Sequence, residues 1–429
     1  RAPAPSPDLK FNWNPFSETW RSFSFIRNNR TVFLSILGIS WFWFVGSLFV
    51  SQFPNFAKNE LGGNEHVVTV LLATFSIGVG IGSLLCERLS GHKVEIGLVP
   101  FGSIGLTLFG IDLYFATPEV KPAIAVGAFE FLSKPGNWRL LFDLAMIGMF
   151  GGFFIVPLFA LIQTRSDPQY RSRIIAGNNI LNALFMVLAA GLAILALGNG
   201  MSIGMLLLLT AILNAFVAIY IYTLVPEFLM RFLVWILVHS IYRLRVKGIE
   251  NIPEQGPALL ICNHVSFVDA LIIAAACRRL IRFVMDHGIF KVPLLSFFFR
   301  SSKAIHIAPG REDPQVLERA HDVIADALKQ GELVGIFPEG KITYDGELNE
   351  FRGGMLRIVE RTPVPVVPMA LQGLWGSFFS RKEGRAMSRW PKRGLLSQIG
   401  LAVGTAVAPA AVSVETMQAQ VLDLRGAER

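Results

Sequence analysis

The residues that invite chemistry are a histidine and an aspartate five positions apart, in Asn263-His264-Val265-Ser266-Phe267-Val268-Asp269. A neutral imidazole can take a proton from a hydroxyl near pH 7. A carboxylate on its other ring nitrogen fixes the tautomer and steadies the imidazolium that forms. The spacing alone decides little, because His321 and Asp326 repeat it. The second copy falls inside a segment that reads as a helix, where five residues turn through about 500° and the side chains point about 140° apart. The first copy follows an apolar run that reads as a strand, so a turn there can fold the imidazole back onto the carboxylate. A plainer reading competes: Ser266-x-x-Asp269 also fits a capping box that starts a helix, and His264 would then be a structural histidine.

Further motifs follow in order. Phe337-Pro338-Glu339-Gly340 lies 75 positions beyond His264, directly after another apolar run. Phe351-Arg352-Gly353-Gly354 and Val364-Pro365-Val366-Val367-Pro368 come next. With these blocks, roughly residues 240–425 resemble the glycerolipid acyltransferase family, which includes the 1-acylglycerol-3-phosphate acyltransferases. The resemblance implies that an acyl group passes from a thioester, on acyl-carrier protein or coenzyme A, to the free hydroxyl of a lysophospholipid or lysophosphatidic acid. His264 would be the base and Asp269 its orienting partner. Glu339 and Gly340 would shape the acceptor site, the carboxylate bonding glycerol hydroxyls and the glycine letting N–H groups approach phosphate. Arg311 is the candidate phosphate clamp and Arg352 a further cation. The sequence departs from the family where Lys341-Ile342 stands in place of Thr-Arg, and where Pro309 sits near the usual arginine. No cofactor and no metal is expected: His264, His287, His306 and His321 form no ligand pattern.

The elements that must position these residues read as an α/β domain over residues 248–429. Short β-prone runs at Ala258–Cys262, Ile281–Met285, Ala304–Ile307, Leu333–Phe337 and Val364–Leu371 alternate with helical segments. One helix is well marked, with Asp313 as N-cap, Pro314 in the first turn, a periodic segment Val316–Leu328 and a stop at Gly331.

The preceding half is different. The chain of 429 residues is 52% hydrophobic and only 16% charged, against about 25% charged for a soluble domain. Six apolar stretches, at 31–53, 67–86, 96–116, 140–163, 176–198 and 202–225, reach the length of about 20 residues that a bilayer requires. The net charge of +8 sits in loops between apolar runs, which fits an anionic lipid surface and not nucleic acid. Residues 1–30, opened by Arg1 and read as a loop of a longer chain, carry five cations. The loops with Arg88 and Lys93 and with Arg165, Arg171 and Arg173 are also basic. The opposite loops are balanced by Glu60, Glu65, Glu119 and Glu130. The positive-inside rule therefore puts both ends of the bundle in the cytoplasm.

The Gly82–Lys93 segment, with Glu87-Arg88 and Gly91 inside it, resembles the cytoplasmic loop of major facilitator superfamily transporters. That superfamily normally has two six-helix halves, so the resemblance implies one half here. Asp112, Asp143, Asn178, Asn179 and Asn214 could line a polar cavity or bond between helices. Residues 226–247, with Trp235, Tyr242 and several arginines, read as an interfacial helix, or alternatively as a seventh crossing.

The expected fold class is thus multi-domain: an all-α six-helix transmembrane bundle, half of a major facilitator fold, followed by an α/β acyltransferase domain. The expected setting is the bacterial inner membrane, with the enzyme on its cytoplasmic side. The alternative is a lysophospholipid transporter with an accessory soluble domain. Cys86, Cys262 and Cys277 give neither a disulfide framework nor metal spacing and read as small buried hydrophobes.

Overall fold

The computed structural model describes residues 14, 17, 24–25, 29–89, 96–118, 124–224, 232–234, 236, 240–277, 279–286, 303–308, 313–382 and 397–427. The chain divides into two compact units, Arg1–Phe232 and Leu233–Arg429.

The first unit is helical: α1 (Arg30–Asn55), α2 (Glu65–Leu89), α3 (Leu98–Ala116), a short α4 (Ala128–Ser133), α5 (Asn137–Arg165), α6 (Arg171–Gly198) and α7 (Ile203–Leu224). Among the described residues, all but α4 are long and apolar enough to cross a membrane. Each expected span lies on one of them. Asn29 starts α1 by accepting from the N–H groups of Thr31 and Val32.

Glycines set the packing of α2 against α5. A Cβ on Gly78 or Gly82 would lie 2.2 or 2.0 Å from the carbonyl oxygens of Ala145 and Met149. Gly148 and Gly152 meet the α2 backbone in the same way. Such small residues let helix backbones approach where no hydrophobic effect drives them together.

The polar residues mostly tie helices to each other. Asn214 accepts from Trp41 Nε1 and donates to Thr107 Oγ1, both at 2.9 Å, and Ser40 donates to Asn182 at 2.9 Å. Arg139 pairs with Asp112, Nε donating to Oδ2 at 3.1 Å. The Gly82–Lys93 segment is described only as far as Leu89; Ser90, Gly91, His92 and Lys93 lie outside the described residues.

The second unit holds a seven-stranded sheet in the order β1-β7-β6-β2-β5-β3-β4. The strands are β1 (Tyr242–Lys247), β2 (Ala258–Cys262), β3 (Ile281–Asp286), β4 (Ile305–Ile307), β5 (Leu333–Ile336), β6 (Val366–Gln372) and β7 (Ser397–Val403). All neighbours run parallel except β6 and β7. The helices are α8 (Asp269–Ala276), α9 (Pro314–Lys329), α10 (Gly354–Arg361) and α11 (Val414–Arg425).

Both faces of the sheet are covered, which explains why β2 is an unbroken apolar run instead of an alternating one. Leu260 and Cys262 pack with Ile272 and Ile273 of α8 on one face. Leu259 and Ile261 pack with Ile324 and Leu328 of α9, and with Met417 and Val421 of α11, on the other. Asp313 caps α9 by accepting from the N–H groups of Gln315 and Val316, as its position predicts. His321 and Asp326 both lie inside that continuous helix.

One boundary is corrected. The last six residues of the expected interfacial helix form β1, so the α/β unit begins before residue 248. Tyr-Arg-Leu-Arg-Val-Lys alternates apolar and cationic residues with the period of a strand. Tyr242 is buried and Leu244 and Val246 pack on the sheet core, while Arg243 and Arg245 are turned away. Strand β7 and helix α11 carry no motif and were not expected.

Candidate active site

The register of the sheet brings the two halves of the site together. Ile261 of β2 is paired with Ile336 of β5 in a parallel ladder. His264 and Glu339 each lie three residues beyond that pair, so both chains leave the sheet at the same edge, side by side. In open α/β sheets this carboxyl edge is where ligands bind.

Residues 263–268 form the turn into α8. Asn263, at its start, is buried and clamps the end of β2 to β6: its Nδ2 donates to the Leu371 carbonyl at 3.0 Å and its Oδ1 accepts from the Leu371 N–H at 2.7 Å. His264 is then folded back onto the first residue of α8, with Nδ1 2.8 Å from Asp269 Oδ2. Asp269 is completely buried. The same carboxylate accepts from the Val265 N–H at 2.6 Å, from the Ser266 N–H at 2.9 Å and from the Ser266 hydroxyl. Asp269 thus closes the turn and holds the imidazole, but the expected capping box is not formed: Val268 is the N-cap of α8, without a side-chain cap bond, and the Ser266 hydroxyl accepts from the Val268 N–H at 3.4 Å.

A carboxylate surrounded by donors acts as an acceptor. Nδ1 of His264 accordingly carries the hydrogen in this bond, which in the neutral ring puts the lone pair on Nε2. The imidazole is stacked on Phe337, with centroids 4.2 Å apart and planes 15° apart. Phe337 is backed by Phe283 at 6.1 Å, and Gly335 makes room, since a Cβ there would lie 2.7 Å from the Phe283 ring. The His264 side chain keeps 22% of its surface exposed.

Glu339 has a different place from the one expected. Its side chain is buried, and both oxygens are engaged by the protein: Oε1 accepts from the His264 N–H at 2.6 Å. Oε2 accepts from the N–H and Nδ2 of Asn349 at 2.8 and 2.7 Å. It fastens loops and does not present a carboxylate to glycerol hydroxyls. Burial raises its pKa above the ordinary value of 4.5, and the bonds from His264 and Asn349 offset part of that rise.

Gly340 adopts a left-handed φ of 66°. Arg352 lies against it, its guanidinium 3.1 Å from where a Cβ would stand, and the Arg352 N–H donates to Pro338 O at 3.0 Å. These two expected residues are brought together next to the turn. Arg311 lies outside the described residues.

Two further residues hold the turn: the Thr343 N–H donates to the His264 carbonyl at 2.9 Å, and the Phe267 N–H donates to the Phe379 carbonyl at 3.3 Å. Of the residues not foreseen, Asn263 had a signal, since a polar side chain at the end of an apolar strand must find partners. Thr343, Asn349 and Phe283 had none. Cys262, next to this turn, is no nucleophile: burial first, then the nearby Asp269 and Glu339 carboxylates, push its thiol well above the ordinary value.

The arrangement can accept a proton at Nε2 while a buried carboxylate compensates the charge that develops on the ring. That is the requirement for general-base activation of a hydroxyl.

Comparison with known proteins gives matches to part of the chain. Residues 243–372 match the family model described as Acyltransferase. A chloroplastic 1-acyl-sn-glycerol-3-phosphate acyltransferase of Arabidopsis thaliana is 29% identical over 137 residues, covering 32% of this chain and 38% of that protein. A 1-acyl-sn-glycerol-3-phosphate acyltransferase of Borreliella burgdorferi is 25% identical over 128 residues, covering 29% of this chain and 50% of that protein. The solved 1-acyl-sn-glycerophosphate acyltransferase of Thermotoga maritima aligns with 24% identity and a TM-score of 0.36 over 47% of this chain and 75% of that one. The chain spans half or less of the length of the two curated relatives described, and the match to the Acyltransferase family model lies in its second unit, at residues 243–372.

Proposed function

We propose that this chain is a membrane-bound acyltransferase that moves a fatty acyl group from a thioester to the free hydroxyl of a 1-acylglycerol-3-phosphate or a related lysophospholipid. The observation that carries the reading is the 2.8 Å bond between His264 Nδ1 and the buried Asp269 carboxylate, in a turn tied to the Phe-Pro-Glu-Gly loop. The acceptor class is taken from the relatives' names; the thioester donor, acyl-carrier protein or acyl-CoA, is what the resemblance to the glycerolipid acyltransferases implies.

In the proposed step, the acceptor hydroxyl gives its proton to His264 Nε2 as its oxygen attacks the thioester carbonyl. The new C–O bond forms and the C–S bond breaks. The proton then passes from the imidazolium to the departing sulfur, so that free thiol and acylated lipid leave. The lipid supplies the nucleophile, and no acyl-enzyme is needed. Asp269 steadies the imidazolium, and Glu339 positions His264 through its backbone. Arg352, beside Gly340, is a candidate for contacting the acceptor's phosphate. The six apolar helices would hold the enzyme at a bilayer, where a lysolipid reaches it without crossing water. We assign that bilayer to the bacterial inner membrane, with the α/β unit on its cytoplasmic side.

The test is an assay of the full chain with labelled acyl-carrier protein and acyl-CoA against a panel of lysolipids. Acyl transfer by the wild type, abolished in His264→Ala with membrane insertion intact, is the expected result. Full activity in His264→Ala would reject the proposed base.

A further inference from the structure

Arg381 belongs to none of the blocks on which the family resemblance rests, yet it is built into the loops around His264. Its guanidinium carbon lies 5.3 Å from the centroid of Phe267 and 5.1 Å from that of Tyr344. Its Nη1 donates to the Tyr344 hydroxyl at 2.6 Å. Both rings are exposed, Phe267 by 41% and Tyr344 by 66%. Phe267 sits three residues after His264 in the same turn. Tyr344 follows Thr343, whose N–H holds the His264 carbonyl. The segment that carries Arg381 is itself fixed to the turn, by the Ser266–Ser380 bridge.

Three other arginines of this unit are matched by carboxylates: Arg282 by Glu332, Arg361 by Glu318 and Asp322, and Arg425 by Glu347. Arg381 pairs with no carboxylate among the described residues. Cation–π contacts at exposed rings contribute only about 0.5–1 kcal/mol each, and ordering a long side chain costs up to about 2 kcal/mol. The two rings orient the cation but do not neutralise it. One of its five N–H donors is used by Tyr344, and the remainder suit a phosphate gripped through two parallel bonds.

We propose that Arg381 is a phosphate-recognising residue of this site, oriented by Phe267 and Tyr344. The phosphate is either the glycerophosphate of the acceptor or the phosphate of the donor's pantetheine arm. The inference rests on the acyltransferase reading for its substrates.

Steady-state kinetics on the full chain separate the two sources. Arg381→Ala is expected to raise KM tenfold or more for lysophosphatidic acid, with kcat within about threefold. The KM for monoacylglycerol, which lacks phosphate, should be the same in both chains. A rise confined to the donor KM instead identifies the donor's phosphate. Arg381→Lys should recover only part of the loss, because an ammonium lacks the planar two-pronged edge. Arg381→Gln, which keeps a stem over the rings, covers the case in which alanine unfolds the loop.

Binding of lysophosphatidic acid and of coenzyme A to the His264→Ala chain, with and without Arg381→Ala, needs no turnover. If the wild type transfers no acyl group, only the enzymatic reading fails, and this binding comparison still decides the role of Arg381. Unchanged KM values for both substrates, a rise in the acceptor KM for monoacylglycerol equal to that for lysophosphatidic acid, or equal binding of both ligands would overturn the proposal.

Discussion

Glu339 Oε1 accepts a hydrogen bond of 2.6 Å from the backbone N–H of His264, while Oε2 takes two donors from Asn349. The proposed base is thereby held from two directions: its ring by Asp269 and its backbone by Glu339. Replacing Glu339 by Gln keeps one acceptor but turns an NH2 group toward either His264 or the two Asn349 donors. A buried donor facing donors costs about 1–3 kcal/mol. Glu339→Gln should therefore lower Tm and reduce kcat without altering the chemistry of the base itself. Calorimetry and acyl-transfer rates measured on one preparation check this; a variant with wild-type Tm and wild-type kcat would remove Glu339 from the positioning role.

Asp269→Asn makes a sharper separation. The amide fills the same space, but its NH2 must confront one of the donors that now converge on the carboxylate from Val265 and Ser266. It also no longer favours the tautomer with hydrogen on Nδ1, so the lone pair on Nε2 is lost from part of the population. We expect kcat to fall by about 10²–10⁴-fold, the range associated with general-base catalysis, with a drop in stability of about 1–3 kcal/mol from the mismatched donors. Loss of stability with kcat unchanged would leave Asp269 as a helix-starting residue only.

The raised pKa of Glu339 has a consequence for stability against pH. Its first cause is burial, which favours the neutral form in the folded chain. The folded state then binds a proton more tightly than the unfolded state does. Stability from this group is fully present below the ordinary value of 4.5 and is lost as pH rises through the raised folded value. Glu339→Gln does not titrate, so the stability difference between wild type and variant should shift against the wild type across that window and be flat below it. Denaturant midpoints at closely spaced pH values read this directly. A difference that moves in the opposite direction would mean that the bonds from His264 and Asn349 outweigh burial.

What could be read in the chain beforehand was local, and what could not was tertiary. Five strands were legible because each is a short β-prone run bounded by turn residues, and Asp313-Pro314 announced α9. The His264–Asp269 contact was legible because five residues in a turn can close while five residues in a helix, as in His321 to Asp326, do not. Strand β1 was hidden by its cations: Arg243, Arg245 and Lys247 suit a membrane interface as readily as the exposed side of an edge strand. The role of Glu339 was hidden too, because it depends on Ile261 and Ile336 being partners in the ladder. Arg381 reaches Tyr344 across 37 residues of chain, with no spacing rule to mark it.

Gly340 and Arg352 offer a test of how closely the Phe-Pro-Glu-Gly loop is built. The left-handed φ of 66° disfavours a side chain at Gly340 by about 1–2 kcal/mol, and an added methyl would stand 3.1 Å from the Arg352 guanidinium. Gly340→Ala thus combines backbone strain with crowding of a flexible side chain, whereas Gly340→Asn suffers less strain because asparagine visits this conformation more readily. Arg352→Ala removes only the crowding. In the double variant, the loss from Gly340→Ala should shrink but persist, since the strain stays. A coupling energy of about 0.5 kcal/mol or more between the two sites would be consistent with direct contact. Strict additivity of the two stability changes would instead mean that Arg352 swings clear of the loop at no cost, and Arg352 would then have no fixed position from which to meet a phosphate.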